Sequence, residues 1–237
     1  MQCWASFQEM EILGESLAYD YMMKLKSKSV CFDIESFAAD YLKLDIVYET
    51  IAEEDRTKLG FASDGITPLM VMRDNGPSAV VFPKDTIVLD RFLNNSRENS
   101  RKRFILAHEV AHVVLDRHLP EQAHARYKSS FSSDAQYSFE DQMRMFSMEE
   151  AFVDRLGASI IMARFLVNKV LERRNKGSMV ISYEGAIFAP KSKLAVQRMA
   201  NDLGVSYSAM VNRLRELKLL EIRPVSEYLA ALRKAGK

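Results

Sequence analysis

At 237 residues, with 48% hydrophobic and 27% charged side chains and a net charge of +1, the chain has ordinary globular composition and suits one large domain or a domain with an appendage. That balance excludes, on overall charge, a polybasic nucleic-acid or membrane-surface protein, and no apolar run is long enough to span a bilayer. Cys3 and Cys31 stand far from any metal spacing, and glutamates interrupt MQCWASFQEMEILGESL where a signal peptide needs an apolar core, so the expectation is a soluble cytoplasmic protein with reduced thiols.

Residues 4 to 25 predict an amphipathic helix with Trp4, Phe7, Ile12, Leu17, Tyr21 and Leu25 as its contacts. DIESFAADYLK (33 to 43) predicts a second helix capped by Asp33. A β-rich region follows, with strands expected over 45–50, 60–63, 67–74, 78–83 and 86–91. Asp74-Asn75-Gly76-Pro77 reads as a hairpin turn, because Asn-Gly accepts positive φ. Short strands feeding one buried helix predict an α+β fold: a small, twisted, mostly antiparallel sheet packed on helices. An edge strand of such a sheet can hold an extended peptide by backbone pairing. NNSRENSRKR (94 to 103) reads as a solvated loop and first helical turn, although positive charge at a helix start is slightly unfavourable.

The chemistry begins in RKRFILAHEVAHVVLDRH, residues 101 to 118. Phe104, Ile105, Leu106, Ala107, Val110, Ala111, Val113, Val114 and Leu115 cover nearly the whole circumference of a helix, which predicts burial. His108, Glu109 and His112 are the polar exceptions. Polar groups at the centre of an apolar helix must be paired or bound, since leaving them bare costs roughly 1–3 kcal/mol each. Two histidines four apart share a face and can hold one Zn2+, and a carboxylate beside the first can take a proton from zinc-activated water. A catalytic zinc needs a third protein ligand and keeps its fourth position for water.

Residues 119 to 146 are polar and Ser-rich, long enough for a lid, with a short helix expected near 139 to 146. SMEEAFVDRLGASIIMARFLVNKVLERR (147 to 174) predicts one strong helix with Met148, Phe152, Leu156, Ile160 and Ala163 on its apolar stripe. Glu150 and Asp154 share a face of it. Glu150 is a candidate third ligand, and Asp154 a candidate acceptor for the far ring nitrogen of a zinc histidine. Glu149 lacks such a partner, because Val153 stands four residues along. Two other roles stay open for Glu150: the acid of a capping box with Ser147, or an exposed first-turn acid that favours the helix dipole. His118 is a rival ligand at the spacing of HExxHxxGxxH sites, which need a turn glycine where this chain has Leu115. On a continuing helix His118 lies ~15 Å beyond His108, far outside a zinc bond of about 2.1 Å.

Taken together, RKRFILAHEVAHVVL and EAFVDRLGASIIMA resemble the RFTLAHELGHLLL-type and ExxAxxFAxxLLMP-type segments of the ImmA/IrrE family of zinc metallopeptidases. The spacing of Glu150 and Asp154 also resembles the third-ligand helix of gluzincins. The resemblance implies one Zn2+ on His108, His112 and Glu150, with Glu109 as general base. Leu156-Gly157 replaces the usual Phe-Ala and Ala163 the closing proline, both on the packing side. The resemblance covers residues 30 to 220 or so and implies a limited-specificity endopeptidase. The family's best-known members cleave helix-turn-helix transcriptional repressors, so a repressor is the substrate it implies here. A further donor to the oxyanion is expected, with no residue preferred.

KGSMVISYEGAIFAP (176 to 190) predicts a short hairpin around Glu184-Gly185. In the next stretch Ala200, Gly204 and Met210 fall at helix-turn-helix spacing. From residue 191 onward ten Lys/Arg face four Asp/Glu, a net +6 against −5 for the rest. This asymmetry is the one pointer to nucleic acid, with Arg213, Arg215 and Lys218 as candidate contacts. A packing or substrate-recognition role for the tail competes with it. The expected division is an N-terminal helix (1–28), a zincin-like metallopeptidase domain (29–190) and a helical, helix-turn-helix-like subdomain (191–237). The expected function is zinc-dependent endoproteolysis of a protein substrate. The alternative is a DNA-binding or repressor-binding regulator that uses the peptidase fold as sensor or scaffold.

Overall fold

Ser6 starts the first helix with a capping box: its hydroxyl accepts from the Glu9 amide, and the Glu9 carboxylate accepts from the Ser6 amide. The structure is a computed structural model that describes residues 6–118, 139–185 and 187–235. Helix α1 spans Phe7–Lys24, but its inward face differs from the expected one. Met10, Gly14, Ala18, Tyr21 and Met22 are buried, while Phe7, Ile12 and Leu25 are exposed; Trp4 lies outside the described residues. Small side chains decide this face. A Cβ on Gly14 would lie 2.9 Å from Ser159 Cβ on a later helix, so the two helices meet where Gly14 has no side chain. The buried Ser159 hydroxyl sits between the Leu156 and Met10 carbonyls, 2.8 and 3.1 Å away, and is satisfied across that contact. Asp33 caps the short α2 (Ile34–Ser36), accepting from the Ser36 amide at 3.0 Å, and a π-helical turn over Phe37–Tyr41 continues it.

Five strands follow where the alternation places them: β1 (Asp45–Glu49), β2 (Gly60–Ala62), β3 (Leu69–Arg73), β4 (Gly76–Val80) and β5 (Thr86–Asp90). β5 is central, parallel to β1 on one side and antiparallel to β2 on the other. β3 and β4 form the expected hairpin, with Arg73 opposite Gly76 and Gly76 at φ 106°. Pro77 therefore sits inside β4, where it is tolerated because β4 pairs on one side only among the described residues. Leu69, Val71 and Val88 are fully buried beneath Val47, Ile51, Phe61, Val80 and Phe82. The α+β expectation holds, with mixed rather than mostly antiparallel pairing.

Helix α3 (Asn99–His118) runs from this sheet. It packs on α4 (Phe139–Ile161). α3 contributes buried Leu106, Ala107, Val110, Ala111 and Val114, and α4 contributes Val153, Leu156, Ile160 and Ile161. Each Leu, Val and Ile among them contributes about 1.5–3 kcal/mol on burial, and the small Ala107 and Ala111 let the helices approach, so the pair forms a fixed platform. The basic cluster at the start of α3 is not a solvated run. Lys102 Nζ lies 2.7 Å from Glu35, Arg103 is buried, and Arg101 lies over the Phe92 ring. α4 begins at Phe139, so the short helix expected near 139–146 is its first turns. Residues 119–138 of the expected lid lie outside the described residues.

The single helix expected over 147–174 is two. α4 ends at Ile161, Ala163 is extended at φ −51° and ψ 142°, and α5 runs over Arg164–Asn175. The break falls where the resembling family places its proline, and here it forms without one. It is also where the chain divides into two units, residues 1–27 with 33–161 and residues 28–32 with 162–237. Within the first unit α1 packs on α4, and within the second strand 180–183 pairs with strand 220–223.

In the second unit β6 (Val180–Tyr183) is parallel to β7 (Leu220–Arg223), and the hairpin expected around Gly185 is reduced to one bridge between Tyr183 and Ile187. α6 (Pro190–Leu203), a left-handed Gly204 at φ 67° and α7 (Tyr207–Glu216) form the expected helix-turn-helix shape over buried Ala200 and Met210. α8 spans Val225–Ala235. Arg174 ties α5 to α6 through a bidentate pair with Asp202 at 2.8 and 2.7 Å. No helix among the described residues is long and apolar enough to cross a membrane.

Arg213 corrects the nucleic-acid expectation. It is 1% exposed, its Nε–H donates to the Met162 carbonyl at 2.9 Å, and Nη1 lies 3.3 Å from Glu216. Its guanidinium serves the interior and is closed to a phosphate, whereas Arg215 and Lys218 are exposed. Arg213→Ala is therefore expected to lower stability by about 3 kcal/mol by emptying a buried site and stranding the Met162 carbonyl, while Arg215→Ala stays within about 0.5 kcal/mol. Urea unfolding midpoints of the two variants test this, and equal midpoints would refute it.

Candidate metal centre

α3 carries His108 and His112 one turn apart, so both imidazoles leave the helix on the same side. Their Nε2 atoms are 3.2 Å apart. α4 crosses this face closely. A Cβ on Gly157 would stand 2.9 Å from the Ala107 carbonyl oxygen and 3.2 Å from the His108 nitrogen, so only glycine lets the two backbones approach this far without a shift. That approach brings up Glu150, with Oε2 3.2 Å from His108 Nε2 and Oε1 3.7 Å from His112 Nε2. One ligand atom from each of the three residues lies within 4.8 Å of the others. A tetrahedral ion with bonds of about 2.0–2.1 Å spaces its ligand atoms about 3.3 Å apart; the 3.2 Å between the two Nε2 atoms and between His108 Nε2 and Glu150 Oε2 match that spacing, and Glu150 faces His112 with its other oxygen. The donor set of two imidazoles and one carboxylate is also one that zinc accepts.

Asp154, one turn beyond Glu150, lies 2.9 Å from His108 Nδ1. With Nδ1–H donating to this carboxylate, Nε2 is the His108 nitrogen left to face His112 and Glu150. The capping-box role for Glu150 falls away, because α4 starts at Phe139 and residue 150 is inside the helix. α3 stays helical through His118, which keeps that residue more than one turn past His112 and more than two past His108.

The electrostatics follow from three groups pointing at one spot. Burial opposes a charge on His108, yet its hydrogen bonds to Asp154 and Glu150 and the nearby Glu109 charge push its pKa up to about 10. His112 is pushed down, first by burial and then by the charge on His108. The His108 hydrogen bond holds Glu150 below the usual carboxylate range. The pocket thus draws positive charge to the point where His108 Nε2 and Glu150 meet.

Glu109, next in sequence to His108, is not one of the three converging residues and is 8% exposed. Burial raises its carboxyl to about 7, against the lowering effects of the His108 charge and a hydrogen bond from the Ala62 amide. That amide belongs to β2, a partner the sequence did not reveal. Gly157 was also unassigned; a glycine inside a helical pattern is the available signal of a close packing contact.

A family model, Peptidase M78, described as the IrrE N-terminal-like domain, matches residues 88–215, just over half of the 237. No curated protein matches the chain.

Proposed function

We propose, from the premise that this chain belongs to the Peptidase M78 family, that it is a zinc-dependent endopeptidase acting on a protein substrate in the cytoplasm. The observation that carries this reading is the convergence of His108, His112 and Glu150 at zinc spacing with a buried acid, Glu109, next in sequence to the first ligand. When bound, the ion would polarise the scissile carbonyl and bring the pKa of water toward ~7. Asp154 keeps His108 in the ligating tautomer. Glu109 takes the proton from the attacking water and delivers it to the leaving amine as the peptide C–N bond breaks. An acid raised to about 7 suits both halves of that exchange.

The strand β2 supports an extended polypeptide as substrate. The Asp90 amide donates to the Leu59 carbonyl and the Ser63 amide to the Thr86 carbonyl, both at 2.9 Å, so odd-numbered residues face β5. Gly60 and Ala62 therefore turn their backbone groups to the other edge, where no strand pairs among the described residues. With the Ala62 amide held by Glu109, the Gly60 backbone and the Ala62 carbonyl are left to pair with a peptide, which would run past Glu109. The family resemblance points to a helix-turn-helix transcriptional repressor as that substrate. Burial of Arg213 leaves the DNA-binding alternative without its central candidate contact.

The test is metal content together with cleavage. The purified protein is expected to carry about one zinc per chain. Dialysis against a chelator abolishes cleavage of unfolded, fluorescein-labelled casein, and one equivalent of Zn2+ restores it. Full cleavage by zinc-free protein would sink the proposal. Co-expression with candidate repressors, read as a cut band, addresses the substrate.

A further inference from the structure

Gly60 is buried at the start of β2, and nothing about its backbone requires glycine: its φ is not among the chain's positive values. The constraint is space. A Cβ at this position would overlap Glu109 Oε1 and stand 2.8 Å from both Glu109 Cγ and Ile105 Cγ2. Two residues along, the Ala62 amide, pointing off the open edge of the strand, donates to the same carboxylate. Glycine in a strand interior weakens the strand, and the gain here is room for one side chain of α3.

We propose that Gly60 is a positioning residue for Glu109: the gap left by its missing side chain and the Ala62 amide together form a seat that holds the Glu109 carboxylate at one place beside the metal centre. This rests on the reading of Glu109 as the general base. A base works only within hydrogen-bond reach of its proton, and a shift of about 1 Å can cost about 10²-fold in rate. A glutamate has several rotatable bonds through which to miss that position. The seat removes the freedom from two sides, with the β2 backbone against Cγ and an N–H on the carboxylate. Gly60 touches no reacting atom itself, so its effect passes entirely through Glu109.

The experiment compares zinc-loaded wild type, Gly60→Ala and Glu109→Gln, using unfolded fluorescein-labelled casein as probe and amide hydrogen exchange as a second readout. Gly60→Ala is expected to keep its zinc, lower kcat by about 10²-fold and leave KM within about threefold. The Ala62 amide is expected to exchange at least about tenfold faster, while the Ser63 amide, bonded to Thr86, stays protected. Undiminished cleavage by Gly60→Ala while Glu109→Gln is dead overturns this inference alone. Undiminished cleavage by Glu109→Gln overturns the base reading and this inference with it. Unchanged Ala62 exchange in Gly60→Ala overturns the seat whether or not casein is cut. Should Gly60→Ala not fold alone, combining it with Glu109→Ala removes Oε1 and Cγ and restores folding. Failure of that pair as well assigns the constraint to Ile105 and overturns the inference.

Discussion

Glu109→Gln is expected to lose about 10³-fold in kcat, roughly 4 kcal/mol of barrier, with zinc content and KM unchanged. The substitution isolates one property. Glutamine has the same shape, so it fits the space beside Gly60, and its carbonyl oxygen can still accept from the Ala62 amide. It cannot take a proton. Glu109 is not among the three residues whose atoms converge, so metal binding has no reason to change. Removing an ionisable group that burial already pushes toward neutrality also leaves the folded state largely undisturbed, since the replacement is neutral and hydrogen-bonded in the same place. Zinc per chain, melting temperature and steady-state cleavage are the measurements. Wild-type kcat in this variant removes Glu109 from the mechanism.

What the sequence reveals and hides follows from how far apart the cooperating residues are. α3 is legible because its three polar exceptions interrupt an apolar circumference within one segment, and Glu150 with Asp154 because four residues make one turn. The resemblance joins the two segments, and the distances among His108, His112, Glu150 and Asp154 agree with that joining. Contacts that depend on the third dimension alone stay hidden. Nothing near Gly60 in the sequence says that Glu109, almost fifty residues on, occupies the space of its missing side chain. The inward face of α1 is misread for the same reason: large apolar residues suggest one stripe, but helix contact favours Gly14 and Ala18. Arg213 reads as a surface cation because arginine usually is one. Its burial depends on a carbonyl freed where the helix breaks after Ile161, and that break has no proline to announce it.

Glu150→Ala is expected to weaken zinc binding by about 10²–10³-fold, equivalent to about 3–4 kcal/mol, and to lose cleavage with it. Structural zinc sites bind with about 10–16 kcal/mol shared over four ligands, which puts a single ligand on that order. Glu150 can be tested cleanly because its side chain is 54% exposed. Its removal opens no cavity, and the His108 imidazole that loses this partner keeps Asp154, so the fold is expected to change by no more than about 1 kcal/mol. A loss of metal therefore cannot be ascribed to unfolding. The three roles proposed for this residue predict different results. A first-turn acid would give a small stability change with no change in metal, and a cap would give a stability loss of about 1 kcal/mol. The position of residue 150, eleven residues into a helix that starts at Phe139, already disfavours both. Competition against a zinc chelator, with melting measured on the same samples, separates the outcomes. Wild-type zinc affinity in Glu150→Ala would place the third ligand elsewhere, and His108 and His112 would then be a pair completed by a residue outside α4.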